Sequence, residues 1–317
     1  MTKTIDFIGK RKIFFTIALC IIGVALICSF VFGVKMDVQF SGGTIATYSY
    51  TGDLSADEVK AAVKDAVGKE SSIQEQQDAS GNKNVVITVA SKLNVDETAG
   101  LTKALQEKFA DNSLEVMQMN TVDPTIGGEF LAKSLFALLL AAVLIIIYVA
   151  IRFRKIGGLS AGVMGVLTLC NDMLVVFAVF VIFRIPLNDN FIAVELMILG
   201  YSINDTIIIY DRIRENRRLL GPKVPIRELV NKSITQSFAR SINTSVTTAL
   251  AIGTVCVISL IFNISSIVTF AFPMLIGVAY GAFSSLCICG SLWVSWQEHK
   301  VKKVEKAKLE NKKSKKK

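Results

Sequence analysis

Histidine is almost missing from these 317 residues: His299 is the only one, and no Cys-x-x-Cys pair accompanies it. A zinc or haem site has nothing to be built from. The six cysteines (Cys20, Cys28, Cys170, Cys256, Cys287 and Cys289) all lie in apolar runs, and the polar stretch from Lys35 to Glu129 has none. A disulfide framework is therefore not expected. No Gly-x-x-x-x-Gly-Lys-Ser/Thr loop is present, so ATP has no P-loop to bind. Nor is there a histidine- or cysteine-based nucleophile constellation. These absences predict a protein that is not an enzyme, carries no cofactor and takes any energy from an ion gradient or a partner. The net charge of +9 is not a nucleic-acid signature, because no basic stripe alternates with aromatics.

What is present is apolar, and unevenly so. Hydrophobic residues make up 52% and charged residues 19%, against about 45–50% and about 25% in soluble domains. The excess is concentrated in long runs, each of which must satisfy its own backbone hydrogen bonds in lipid and so reads as a helix. The expected spans are 13–34, 131–151, 158–183, 191–211, 241–262 and 266–296. The first follows Lys10-Arg11-Lys12 and is read as an uncleaved span, since no small-x-small cleavage pattern follows it. Pro273, inside the last run, predicts a kink.

Orientation follows from lysine and arginine. The 1–12 terminus, the Arg152–Lys155 turn, a 212–240 loop carrying eight basic residues, and the 297–317 tail fall on one side, which is then the cytoplasm. The opposite short loops hold Arg184 and no lysine. The 35–130 insert is expected outside. Its pattern is strand, helix, strand, strand, helix, strand: 44–50, a helix capped by Ser55 and Glu58, 73–77, 84–90, 95–109 and 114–122, with Ser80-Gly81-Asn82 as a hairpin turn. The fold expected is thus an α-helical polytopic membrane protein of about six transmembrane helices with one extracytoplasmic α+β, ferredoxin-like domain. The tail has two readings: a solvated disordered segment, or a basic arm drawn to anionic lipid or ribosomal RNA.

Chemistry concentrates in the fourth and fifth spans. Asp205, between Asn204 and Thr206, lies six residues inside Asp211, roughly 9 Å from the helix end. An ionised carboxylate there is costly unless paired, wetted or protonated. In the fifth span Arg240, Asn243, Thr244 and Thr247 recur at helical spacing as one polar stripe, so an Asp205–Arg240 partnership is expected. The alternatives are a structural hydrogen bond for Asp205 and snorkelling for Arg240. Asp172 is a second buried-carboxyl candidate, structural or functional, and Glu195 is read as reaching water near the outer end of span four. Asp211 with Arg212, Arg214 and Glu215 reads as an interfacial cluster or a solvated helix end.

Gly200-Tyr201-Ser202-Ile203-Asn204-Asp205-Thr206, followed by Asp211-Arg212-Ile213-Arg214-Glu215, resembles the fourth-span signature of the SecD/SecF family, in its SecF branch. Arg240-Ser241-Ile242-Asn243-Thr244-Ser245 is similar to the fifth-span signature. Gln39-Phe40-Ser41-Gly42-Gly43-Thr44 and Val122-Asp123-Pro124-Thr125-Ile126-Gly127 resemble the family's two outer glycine elements, with Gln39 where aspartate is usual and Asp123 where glycine is usual. The resemblance runs from the first span to the last. It implies an RND-like half that works with a SecD-type subunit beside the SecYEG channel, with YajC/YidC-like membrane proteins and exported preproteins as further partners. It implies that proton or sodium flow drives export. It also implies that Asp205 and Arg240 couple the ion, with Asn204, Thr206, Asn243, Thr247 and Asp172 around them and Gly42 and Gly43 as the outer motif. Two other readings stay open: half of an RND-type exporter of lipids or small molecules, and a non-transporting assembly scaffold.

Overall fold

The computed structural model describes residues 4–77, 81–221, 223–262 and 264–314, with side chains to Lys303. The chain begins with helix α1 (Arg11–Phe32), passes through the single turn α2 (Val38–Ser41) and enters the insert. The insert runs β1 (Gly43–Tyr50), α3 (Ala56–Val67), β2 (Ser71–Gln77), β3 (Lys83–Val89), α4 (Val95–Lys108) and β4 (Glu115–Val122). Then follow α5 (Pro124–Arg152), α6 (Gly158–Ile182), α7 (Asp189–Leu220), α8 (Ile226–Ile261) and α9 (Ser265–Phe283). A π-helical segment, Ser284–Cys289, joins α9 to α10 (Gly290–Ser314). Among the described residues six helices, counting α9 and its continuation as one, are long and apolar enough to cross a membrane.

In the insert the strands lie in the order β2-β3-β1-β4, every neighbouring pair antiparallel. That is the split βαββαβ sandwich expected from the pattern. Alternation on β1 buries Ala46, Tyr48 and Tyr50, and these pack with Val85, Ile87, Val63, Leu101 and Leu105. The buried Tyr48 hydroxyl is paired with Thr102 Oγ1 at 3.1 Å. The capping box expected at Ser55 is absent: the residue takes the N-cap position but makes no side-chain cap bond. The reciprocal box forms on α4 instead, between Asn94 and Glu97, both bonds 2.8 Å. Lys69, 3.1 Å from Glu97, steadies the glutamate there, and Glu58 has no such anchor among the described residues. Ser80 of the expected hairpin turn lies outside the described residues; the register pairs Gln77 with Lys83.

The bundle is built around α6 and α7. In their most apolar stretches 61% and 56% of residues are buried, against 11% for α1 and α5, so these two helices form the centre and the others the jacket. Small residues permit the close approach: a Cβ on Gly277 of α9 would sit 2.7 Å from Ile198 of α7, and one on Gly158 of α6 would sit 2.2 Å from Ala150 O of α5.

Two expectations are corrected. The 212–240 segment is helical over 212–220 and again over 226–240, because Ile213 and Asn216 of α7 bury against Leu229, Val230, Ser233 and Ile234 of α8. The tail continues α10 as far as Ser314. Pro273 lies inside α9, and the last span takes π geometry further on, at Ser284–Cys289, where Ser285 turns its hydroxyl onto Ser202 O at 3.2 Å.

The two glycine elements meet. Gly42 adopts φ +78°, and a Cβ there would lie 2.5 Å from Pro124 Cα at the start of α5; a Cβ on Gly127 would lie 2.9 Å from Phe40 O. Asp123 caps α5 through the Thr125 amide at 3.1 Å and is held by Lys92 at 3.1 Å. Beside this joint the α2 linker is tied to the α6–α7 turn: Asp37 N donates to Leu187 O and Leu187 N to Lys35 O, both 2.9 Å, and Asp189 N donates to Gln39 Oε1 at 3.1 Å.

Candidate functional site

Helix α7 carries the site because one of its faces is apolar enough to pack inward while retaining a few polar groups. It buries Ile198, Ser202, Asp205, Thr206, Ile209 and Tyr210. Asp205 is 1% exposed, and neither carboxylate oxygen has a hydrogen-bond partner among the described residues. Ser241, Ser245 and the Arg240 guanidinium are the groups that act on it, and no ion pair joins it to Arg240. Ser245 is in turn hydrogen-bonded to the Tyr201 hydroxyl at 3.2 Å.

The fifth-span stripe faces away from the bundle. Arg240, Asn243 and Thr247 are exposed, and so is Asn204 on α7. Thr247 satisfies itself on the carbonyls of Asn243 and Thr244, at 3.0 and 2.9 Å. What α8 turns inward is a stripe that sequence reasoning missed: Ser233, Ser237, Ser241 and Ser245, every fourth residue, all buried. The four-residue period was the available signal.

A second polar cluster fills the centre. Asp172 of α6, 1% exposed, accepts from Ser202 Oγ at 2.6 Å, and its other carboxylate oxygen has no partner. The chain continues from Ser202 to Ser285 at 3.3 Å and from Ser285 to Thr206 at 3.4 Å. One turn on, the Tyr210 hydroxyl donates to Ala161 O at 3.1 Å and meets Cys289 Sγ at 3.2 Å. Asn171 reaches the Tyr280 hydroxyl at 2.9 Å. Glu195 does not reach water: it is 1% exposed with one oxygen unpartnered, because the α6 and α9 helices close over this part of α7.

At the end of α7, Asp211 lies 2.5 Å from Arg214 and 3.5 Å from Arg152, and Arg212 lies 2.6 Å from Glu215 and 2.8 Å from Gln236. Asn216 bridges to Ser233 and Gln236, at 2.9 and 2.8 Å. The cluster clasps α7 to α8. Its ion pairs are part-exposed, where such pairs contribute at most about 1 kcal/mol.

No group of three or more metal-ligating side chains occurs among the described residues. The buried ionisable groups on α6 and α7 include the carboxyls of Asp172, Glu195 and Asp205. Asp205 has a hydroxyl-lined inner side and, on the outer side, an exposed cationic and amide face. A proton on such a carboxyl removes a charge that has no protein hydrogen-bond partner, and its loss creates an attraction to Arg240.

The family described as "Protein export membrane protein SecD/SecF, C-terminal" matches residues 101–299. The chain is 32% identical over 311 residues to the protein translocase subunit SecF of Petrotoga mobilis, covering 96% of this chain and 99% of that one. It is 32% identical over 300 residues to the protein translocase subunit SecDF of Bacillus subtilis, covering 94% of this chain and 39% of that one. It is similar to the crystal structure of SecDF, a translocon-associated membrane protein from Thermus thermophilus, with a TM-score of 0.78 and 27% identity, over 94% of this chain and 39% of that one. The chain thus spans about two fifths of the SecDF proteins it matches.

Proposed function

We propose that this chain, which belongs to the SecD/SecF family of protein-export membrane proteins, is the SecF-type subunit that works with a SecD-type chain to turn an ion gradient into export of preproteins. The observation that carries this reading is Asp205: a carboxyl buried at mid-helix, both oxygens without a partner, beside a polar face that the chain itself leaves uncovered. Protonated, it lets α7 and α8 repack without a counter-charge; ionised, it attracts Arg240. Two states with different helix contacts are what a transduction device requires.

Asn204, Arg240 and Asn243, exposed beside Thr247, give the reason for a partner. Lipid cannot hydrogen-bond them. A SecD-type helix pair seated on this face satisfies them and completes the coupling site. The SecYEG channel, YajC/YidC-like proteins and exported preproteins belong to the same reading, as does attraction of the basic tail to anionic lipid. The insert joint at Gly42, Pro124 and Gly127 supports coupling of helix movement to the α+β domain, since the entry to that domain is packed directly against the start of α5.

Both termini and the α7–α8 turn lie in the cytoplasm in this reading, and 35–130 lies outside the bacterial cytoplasmic membrane, as the basic residues require. A cysteine at Lys83 reacts with an impermeant thiol reagent in intact cells; reaction only after lysis reverses the orientation.

The test of coupling is Asp205→Asn, which keeps shape and removes titration. The expected variant copurifies with its SecD-type partner, retains ATP-driven steps and loses the gradient-dependent part of export. Full gradient-dependent export in an assembled variant makes the carboxyl structural and sinks the proposal.

A further inference from the structure

At the end of the bundle that carries both termini, α5, the turn after it, the start of α6 and α10 enclose a cavity of about 1410 Å³. Among the described residues its titratable lining is all of one kind: Arg154, His299, Lys300 and Lys303, with no carboxylate. Among the described residues none of these three lysine and arginine side chains is ion-paired. The rest of the lining is largely apolar, and it opens sideways between Ile151, Leu159 and Trp296, which are 65%, 66% and 50% exposed.

The wall is fixed in place. Ser160 accepts from Trp293 Nε1 at 3.2 Å and Gln297 Nε2 at 3.1 Å while donating to Gly157 O at 2.7 Å, so α10 is stitched to the start of α6. Gly158 brings α6 within contact of Ala150 O on α5. These contacts hold the cationic rim and the apolar side opening together.

A soluble anion fits the rim but has no use for the apolar opening. An apolar helix fits the opening but leaves three cations uncompensated. A molecule with an anionic head and hydrocarbon tails uses both. Tryptophan at the boundary is the residue type that sits at head-group level, and basic pockets between spanning helices suit such heads. We propose that this cavity is a binding site for an anionic phospholipid of the phosphatidylglycerol or cardiolipin class. Arg154, Lys300 and Lys303 hold the phosphate, and the acyl chains run along Ile151 and Leu159. This goes further than attraction of the basic tail to a membrane surface, because it assigns one defined pocket.

The full-length protein in nanodiscs tests it. Phospholipid brominated near the head group quenches Trp296, whereas Trp293, 3% exposed, is shielded. Brominated phosphatidylglycerol is expected to half-quench at a mole fraction roughly tenfold lower than brominated phosphatidylcholine. In R154Q/K300Q/K303Q the two lipids become equivalent. Equal quenching by both lipids in the parent protein overturns the proposal and leaves the groove to a partner helix; this comparison needs no variant. Relief of the quenching by millimolar inorganic phosphate overturns it too, in favour of a soluble-anion site.

Discussion

Gly42→Ala probes the joint between the outer domain and the spans. Gly42 adopts φ 78° and ψ 156°, a region that is essentially glycine's alone and costs another residue about 1–3 kcal/mol. The added Cβ also meets Pro124 Cα at 2.5 Å and Pro124 N at 2.6 Å. Those are backbone atoms of a residue with a locked φ, so α5 itself must move and the backbone figure is a lower bound. At 1.36 kcal/mol per factor of ten, local opening becomes roughly 5- to 150-fold more frequent. Native-state hydrogen exchange on the full chain reads this at two amides beside the joint: Gly127, bonded to Asp123 O at 3.0 Å, and Asp37, bonded to Leu187 O at 2.9 Å. Both are expected to exchange faster by that factor, while the β1–β3 ladder keeps its protection. Gly100→Ala is the control, since a Cβ there meets nothing within 4 Å. Exchange at Gly127 and Asp37 within twofold of the parent would refute the reasoning that the glycine element is a steric joint.

Asp172→Ala removes the acceptor of the Ser202 hydroxyl in a buried site, at a cost of about 1–3 kcal/mol; thermal unfolding followed by exposure of the buried Cys287 and Cys289 thiols moves to lower temperature, and an unchanged midpoint shows that the cluster holds nothing together. Asp123 is held down to about 2, from an ordinary 3.8, by the Thr125 hydroxyl first, then the Thr125 amide and Lys92. Its contribution is therefore complete above pH 3.8 and lost as the pH falls through about 2. Asp123→Asn melts below the parent at neutral pH and converges on it in acid; a gap that widens on acidification contradicts the assignment.

Much of the architecture was legible because its signals are local. Apolar run length marks the spans, and the two-residue alternation of Ala46, Tyr48 and Tyr50 marks β1. The lone carboxyl at Asp205 was visible from its apolar surroundings. What the one-dimensional pattern hides is which face of a helix meets which neighbour. Arg240, Asn243 and Thr247 form a regular stripe, and so do Ser233, Ser237, Ser241 and Ser245 on the same helix; only packing against α7 shows that the serines turn inward. Glu195 read as close to water because its depth was counted along α7, while its burial comes from α6 and α9. The meeting of Gly42 with Pro124 joins residues on either side of a whole domain, which no local spacing reports.

The π-helical segment at Ser284–Cys289 acts as a phase adjuster for the last span. Before it, α9 offers Gly277 and Gly281 to α7; within it, Ser285 meets Ser202; beyond it, Trp293 and Gln297 meet Ser160 on α6. A π turn takes in one residue more than an α turn. Excising a single residue here leaves a regular helix whose far half is rotated by about 100°. Trp293 and Gln297 then leave Ser160, and Trp296 leaves the cavity. The span's two ends are thus in angular register with different neighbours only through one supernumerary residue, and that residue lies where the buried hydroxyls converge on Asp172.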